Sequence, residues 1–252
     1  MTVHFIGAGP GAADLLTLRA VAMLNKADVC IYAGTYLDEA VLSHCPEGAT
    51  LIDTQDLNLD QIIDHIVDAH AKGLDVVRLC SGDPSIYSAL AEQSRRLDEH
   101  GIQWDVTPGV PAYAAAAALL GKELTVPLLT QSVVLTRTQA RSTAMPDTES
   151  LANFARTKAS LVLHLAITRI RALADELIPE YGAECPVAVV ANASQPSQVI
   201  LKGTLADIAD QVEAAGLKLA AVILVGPALD PAKVSESYLY DARRDRASKL
   251  RD

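Results

Sequence analysis

Short β-branched runs alternate with longer segments of helical period through the first half of the chain. Val3–Ile6, Val29–Tyr32, Thr50–Asp53, Val76–Cys80 and Trp104–Thr107 read as strands. Between them, Leu18–Lys26, Gln61–Lys72 and Tyr87–His100 read as helices. In the second of these, Ile62, Ile63, Ile66 and Val67 form one apolar stripe. This alternation predicts α/β organisation with right-handed crossovers.

After Leu120 the pattern breaks at Gly121-Lys122-Glu123 and Pro127, and a second set of strands begins. Val133–Leu135, Ser160–Leu165, Val187–Ala191, Val199–Lys202 and Ala221–Val225 make up that set, with helices at Arg169–Ile178 and Asp207–Ala215. Ser142–Ser150 reads as a polar loop. A boundary near residues 121–130 predicts lobes at 1–123 and 124–230, followed by a peripheral tail at 231–252. From Asp230 onward that tail mixes six basic with five acidic residues.

Composition narrows the function classes. Apolar residues make up 50% and charged residues 21% of the 252, which excludes global disorder. A net charge of −10 with ten aromatic residues offers little to a phosphate backbone or a base-stacking platform, so no nucleic-acid partner is expected. Cys30, Cys45, Cys80 and Cys185 lie far apart without a CxxC pair, as in a reducing compartment. Met1 is followed by neither a basic n-region nor a cleavage site, so no export signal is expected. The apolar stretch Val110–Leu120 is short of the ~20 residues of a membrane span. The expectation is a soluble, cytoplasmic protein without a membrane partner.

Four segments could carry chemistry. Gly7-Ala8-Gly9-Pro10-Gly11-Ala12 follows the first strand and matches GxGxxG/A, the turn of dinucleotide-binding folds. Against a nicotinamide site, Pro10 removes a backbone N–H where pyrophosphate would be cradled, and the second strand ends in Tyr32-Ala33-Gly34 without an acidic residue. An NAD-dependent oxidoreductase and a plain tight turn both remain open at this point. Ser81-Gly82-Asp83-Pro84 ends the fourth strand, at the sheet edge where open α/β folds bind ligands. There Gly82 would admit a ligand to the backbone and Asp83 would face a cationic group, or else Asp83 caps the helix that follows. Pro108-Gly109-Val110-Pro111-Ala112-Tyr113 leads into Ala114–Ala118, where small side chains suit either a flat ligand or close helix–sheet packing. Leu124–Arg137, with Arg141 beyond it, offers hydroxyls, an amide and guanidiniums that could hold carboxylates, or is an ordinary polar strand edge. His65 and His70 are misplaced for one helical face, and His164 reads as a core residue, so no metal site is expected. The chain lacks GxSxG and a Walker A lysine loop.

The order and spacing of these segments resemble the tetrapyrrole methyltransferases, which methylate siroheme and cobalamin precursors. The resemblance is carried by residues 7–17, Ala27-Asp28-Val29 with Tyr32, Ser81-Gly82-Asp83-Pro84 with Tyr87, and Pro108-Gly109-Val110. It continues through Pro186–Val190 and Val222–Gly226. The Leu129-Thr130-Gln131-Ser132-Val133-Val134-Leu135-Thr136-Arg137 core and Tyr32-Ala33-Gly34-Thr35 are similar to the branch acting at C-11 of precorrin-4. The uroporphyrinogen-III branch carries an Asp-Arg pair where Ala33 and Gly34 stand, and sibling corrin methylases share the cofactor motifs. A non-catalytic tetrapyrrole carrier is the remaining alternative.

The resemblance implies two α/β lobes with a cofactor cleft between them, a homodimer, S-adenosyl-L-methionine as methyl donor and S-adenosyl-L-homocysteine as product. Carried over residue by residue, it implies that Pro10, Ser81, Gly82, Asp83, Ile86, Tyr87, Ala112, Leu165 and Ala193 line the cofactor site. Pro111 stands where many relatives carry threonine or serine. A polycarboxylate substrate meeting an acidic chain requires local cations, for which Arg137, Arg141 and Lys122 are the candidates. No catalytic base is identified.

Overall fold

The computed structural model describes residues 2–34, 37–138, 143–230 and Ser237. The described residues form two compact units. One comprises the chain up to Leu119 together with Asn192–Val199; the other comprises Leu120–Ala191 and the described residues from Ile200 onward.

The first unit holds β1 (Thr2–Gly7), β2 (Val29–Tyr32), β3 (Thr50–Asp53), β4 (Val76–Cys80) and β5 (Gln103–Thr107) in the order β3-β2-β4-β1-β5. Every pairing is parallel. All five residues of β4 are buried, as expected of a central parallel strand covered on both faces. Alternate side chains go to opposite faces. Val3, Phe5, Val29 and Ile31 pack with Ile63, Ile66 and Leu97 of α3 (Leu59–Ala71) and α4 (Leu90–Glu99). Ile6, Cys30, Val77 and Leu79 pack on the other side with Ala20 and Leu24 of α1 (Leu18–Leu24) and Val41 of α2 (Glu39–Leu42). An Asn58–Gln61 capping box starts α3. The last helix of this half is α5 (Ala112–Leu120).

The second unit holds β6 (Val133–Arg137), β7 (Ser160–His164), β8 (Pro186–Ala191), β9 (Val199–Thr204) and β10 (Ala221–Val225), ordered β6-β7-β10-β8-β9. This sheet is mixed: β6 runs parallel to β7, and β10 runs antiparallel to both β7 and β8. Leu161, Leu163, Val187, Val189 and Ile223 pack against α7 (Ile170–Tyr181) and α8 (Ile208–Ala214) through Leu173, Leu177, Ile208 and Val212.

Three differences from the sequence reading have local causes. The helix expected from Tyr87 starts at Leu90, because Tyr87 and Ala89 hold φ of 52° and 55°. The strand expected to include Leu165 stops at His164, since Leu165 also has a left-handed φ of 52°. Two short helices were not expected: α2 is capped by Asp38, and α6 (Leu151–Ala155) is capped by Ser150 at the end of the polar loop. The predicted tail lies outside the described residues except for Ser237.

Candidate functional site

β1 lies between β4 and β5, so the carboxyl ends of these three strands are neighbours. Each strand runs directly into one of the glycine-bearing turns, and the turns interlock. Ala8 N–H donates to the Cys80 carbonyl at 2.8 Å. Gly9 and Gly82 exchange both backbone bonds, at 3.2 and 2.8 Å. Gly82 therefore uses its own N–H and C=O inside the protein and is buried. What demands glycine there is a φ of +66°, since an added Cβ would meet Pro111 Cα at an ordinary 3.5 Å.

At Gly7 and Gly109 the demand is space. A Cβ on Gly109 would lie 2.3 Å from the Gly82 carbonyl oxygen and 2.7 Å from Gly7 Cα. A Cβ on Gly7 would lie 2.5 Å from Gly109 Cα. The backbones of the three turns are in direct contact.

Asp83 ties these turns together. Its Oδ2 accepts the Gly109 N–H at 2.8 Å, and its Oδ1 accepts the Ser85 N–H at 2.8 Å and the Ser85 hydroxyl. Partial burial pushes this carboxyl's pKa up, but the bonds from Ser85 and Gly109 outweigh burial and hold it below the usual carboxylate value. Asp83 does not cap a helix, because α4 begins at Leu90. Ile86 and Tyr87 follow on the same turn, with Tyr87 48% exposed. Ala112 opens α5, its backbone N 3.6 Å from where a Gly82 Cβ would be.

The segment 192–199 completes this edge, and most of it escaped the sequence reading. Ser194 Oγ accepts the Ala12 N–H at 3.0 Å, while Gln198 Oε1 accepts the Ser194 N–H at 3.0 Å. Gln195 packs so tightly on Gly11 that a Cβ there would lie 2.4 Å from its Cγ. Ala193 is buried between Asn192 and Ser194, both with positive φ. The polar run Asn192-Ala193-Ser194-Gln195 after an apolar strand was the available signal, because asparagine and serine suit such turns.

The first unit thus carries Pro10, Ser81, Gly82, Asp83, Ile86, Tyr87, Ala112 and Ala193. The other candidates lie in the second unit. Leu165 is 59% exposed directly after β7. Arg137 ends β6 opposite His164 and donates from Nη2 to the Thr143 carbonyl at 2.9 Å. Lys122 is half-buried, and Arg141 lies outside the described residues. Burial lowers the His164 pKa, which keeps its imidazole neutral at neutral pH. Among the described residues no cluster could hold a metal ion, and no helix is long and apolar enough to cross a membrane.

The edge formed by the three turns is lined by glycine, alanine, proline and serine. Gly7, Gly9, Pro10, Gly11 and Gly82 are buried there, and the candidates this edge leaves at least partly exposed are Ser81, Asp83, Ile86, Tyr87 and Ala112.

Residues 2–209 match the family model of the tetrapyrrole (corrin/porphyrin) methylases. Among curated proteins, the chain is 54% identical over 248 residues to a precorrin-4 C(11)-methyltransferase of Rhodococcus erythropolis, covering 98% of this chain and 100% of that protein. Among solved structures it is similar to a cobalt precorrin-4 methyltransferase, a cobalamin biosynthetic enzyme, with TM-score 0.88 and 35% identity. That match covers 91% of this chain and 96% of the other. It is also similar to a uroporphyrin-III C-methyltransferase of Thermus thermophilus complexed with S-adenosylhomocysteine. Here the TM-score is 0.76 and the identity 27%, over 91% and 94% of the two chains.

Proposed function

The chain belongs to the tetrapyrrole (corrin/porphyrin) methylases, and from that premise we propose that it transfers a methyl group to C-11 of precorrin-4 or its cobalt form. The observation that carries this reading is the near-full-length likeness to a precorrin-4 C(11)-methyltransferase. The fold and the interlocked turns agree with it.

S-adenosyl-L-methionine supplies a methyl group already activated on a sulfonium. The residues of the first unit that would hold it are Pro10, Ser81, Gly82, Asp83, Ile86, Tyr87, Ala112 and Ala193. The fit rests on Ser81, Ile86, Tyr87 and Ala112, which stay at least partly exposed at the strand-end edge while the packed glycine turns fix their positions. Asp83 contributes there by fixing the Gly109 turn, since both its oxygens accept bonds from the protein itself. Arg137, Arg141 and Lys122 would bind substrate carboxylates, offsetting the repulsion from a chain of net charge −10.

An electron-rich pyrrole carbon is itself nucleophilic, so no strong base is required of the chain. Holding the two reactants in line can supply up to ~7–11 kcal/mol of the barrier reduction. A homodimer working in the cytoplasm belongs to the same proposal; sedimentation of the purified protein checks the dimer.

The decisive experiment incubates the protein with enzymatically made precorrin-4, or its cobalt form, and S-adenosylmethionine labelled in the methyl group. A label appearing at C-11 supports the proposal. A label at another ring carbon assigns the chain to a sibling activity, and binding without turnover assigns it to a carrier.

A further inference from the structure

Arg78 is the middle residue of β4 and is only 7% exposed. Its Nε donates to Gln93 Oε1 at 3.0 Å, and its Nη1 donates to the carbonyls of Leu79 at 2.8 Å and Ile31 at 3.3 Å. Among the described residues no carboxylate pairs with it. A cation buried in a parallel sheet is expensive to keep, and packing alone would be better served by an aliphatic residue.

Its partner indicates a use. Gln93, in the first turns of α4, is 2% exposed. A guanidinium has only donors, so it fixes the amide orientation: the oxygen faces Arg78 and the NH2 group faces away. That Nε2 donates to the carbonyls of Ser88 at 3.2 Å and Ala89 at 3.1 Å. These carbonyls belong to the turn in which Tyr87 and Ala89 both hold left-handed φ. Neither residue type favours that conformation, and such turns persist where their surroundings over-determine them. The Ser88 hydroxyl adds a bond to the Pro84 carbonyl.

We infer that the buried Arg78–Gln93 pair is a positioning device that clamps the Ser85–Ala89 turn in the shape that presents Ile86 and Tyr87 to the methyl donor. The inference rests on the cofactor reading proposed above. Arg78 and Gln93 act through the turn and touch no ligand. Arg78 sets the amide, the amide holds two carbonyls, and the carbonyls hold the strained turn.

The test uses Gln93→Glu in the full chain. Glutamate still accepts from Arg78 and supplies a counter-charge, but it cannot donate to Ser88 and Ala89. The variant should melt close to the wild type and exchange its amide hydrogens faster over residues 86–90. It should bind S-adenosylhomocysteine about ten-fold more weakly, as the loss of two ordinary hydrogen bonds implies. Adding Ala89→Gly, which admits the left-handed φ without strain, should recover about five-fold of that loss.

Unchanged exchange and unchanged affinity in a folded Gln93→Glu protein would overturn the inference. Should that variant fail to fold, Ala89→Val decides the matter. It disturbs the same turn from an exposed position and leaves the buried pair intact, and normal affinity in that variant would equally overturn the inference. Failure of the wild type to bind S-adenosylhomocysteine would count against the cofactor reading instead, with the exchange data still deciding whether the clamp exists.

Discussion

Replacing Gly109 with alanine adds one methyl group where three backbones meet. The new Cβ would fall 2.3 Å from the Gly82 carbonyl oxygen and 2.7 Å from Gly7 Cα. Ordinary van der Waals contact begins near 3.4 Å, so the turns would have to separate by roughly 1 Å. Neither neighbour is a side chain that can rotate away. The Gly82 carbonyl is bonded to Gly9, and the Gly109 N–H is bonded to Asp83 at 2.8 Å, so separation stretches those bonds as well. Overpacking costs about 1–3 kcal/mol, and losing a hydrogen bond to a carboxylate costs about 1.5–3 kcal/mol. These are alternative routes of relief rather than additive terms, so about 1–3 kcal/mol is expected. At roughly 2–4 °C per kcal/mol for a chain of this size, the melting temperature should fall by about 2–12 °C. Titration calorimetry should show S-adenosylhomocysteine binding weakened in parallel. Gly48→Ala is the control, since a Cβ there meets nothing within 4 Å. A Gly109→Ala protein that melts within a degree of the control and binds normally would refute the argument from contact.

S-adenosylhomocysteine should raise the melting temperature in proportion to RT ln(1 + [L]/Kd), about 2.7 kcal/mol at 100 Kd, whereas a shift with NADH alone would revive the oxidoreductase reading. Asp83→Asn should lower the urea midpoint most at neutral pH. Asp83 has a depressed pKa in the fold, so its contribution is present above about pH 4, the ordinary carboxylate range, and is lost as pH falls through the lower folded value. The gap between Asp83→Asn and wild type should therefore close on acidification, and a gap constant from about pH 7 to about pH 2 would contradict this. Arg137→Ala should reduce kcat/KM for the tetrapyrrole by about 10- to 150-fold with S-adenosylhomocysteine affinity unchanged, as loss of one charge-assisted bond implies. Intact kinetics with a lowered melting temperature would assign Arg137 a structural role, to which its bond to Thr143 contributes.

The parallel sheet was legible chiefly in its inner strands, which are covered on both faces and are written as nearly continuous apolar runs. Val76–Cys80 shows this plainly, with Arg78 the only polar interruption. Strand direction is not written that way, so the antiparallel β10 in the second sheet could not be read from Ala221–Val225. The turn motifs were visible as glycines, but their reasons were not. Gly82 needs its φ, whereas Gly7 and Gly109 need room, and only the packed backbones distinguish the two cases. Asp83 next to Pro84 has the local look of a helix cap, yet its partner Gly109 is brought by the end of β5, on the far side of β1. The left-handed Tyr87 and Ala89 sit in residues that do not prefer that geometry, held by an amide whose orientation Arg78 sets from inside the sheet. Ser194 and Gln195 meet the Gly11–Ala12 turn from the far side of the sequence, a contact no local pattern encodes.

The excursion of Asn192–Val199 into the first unit also bears on how the chain is made. A ribosome that has completed α5 has finished the first sheet but not the piece that accepts the Ala12 N–H and packs on Gly11. That piece emerges roughly 80 residues later, about 4–16 s of synthesis at ordinary elongation rates. During that interval the glycine-rich turn of the nascent chain lacks its final support, and a fragment cut near Leu119 would lack it permanently. The first unit is finished only after β8 of the second has been made, which ties the two into a single product of biogenesis.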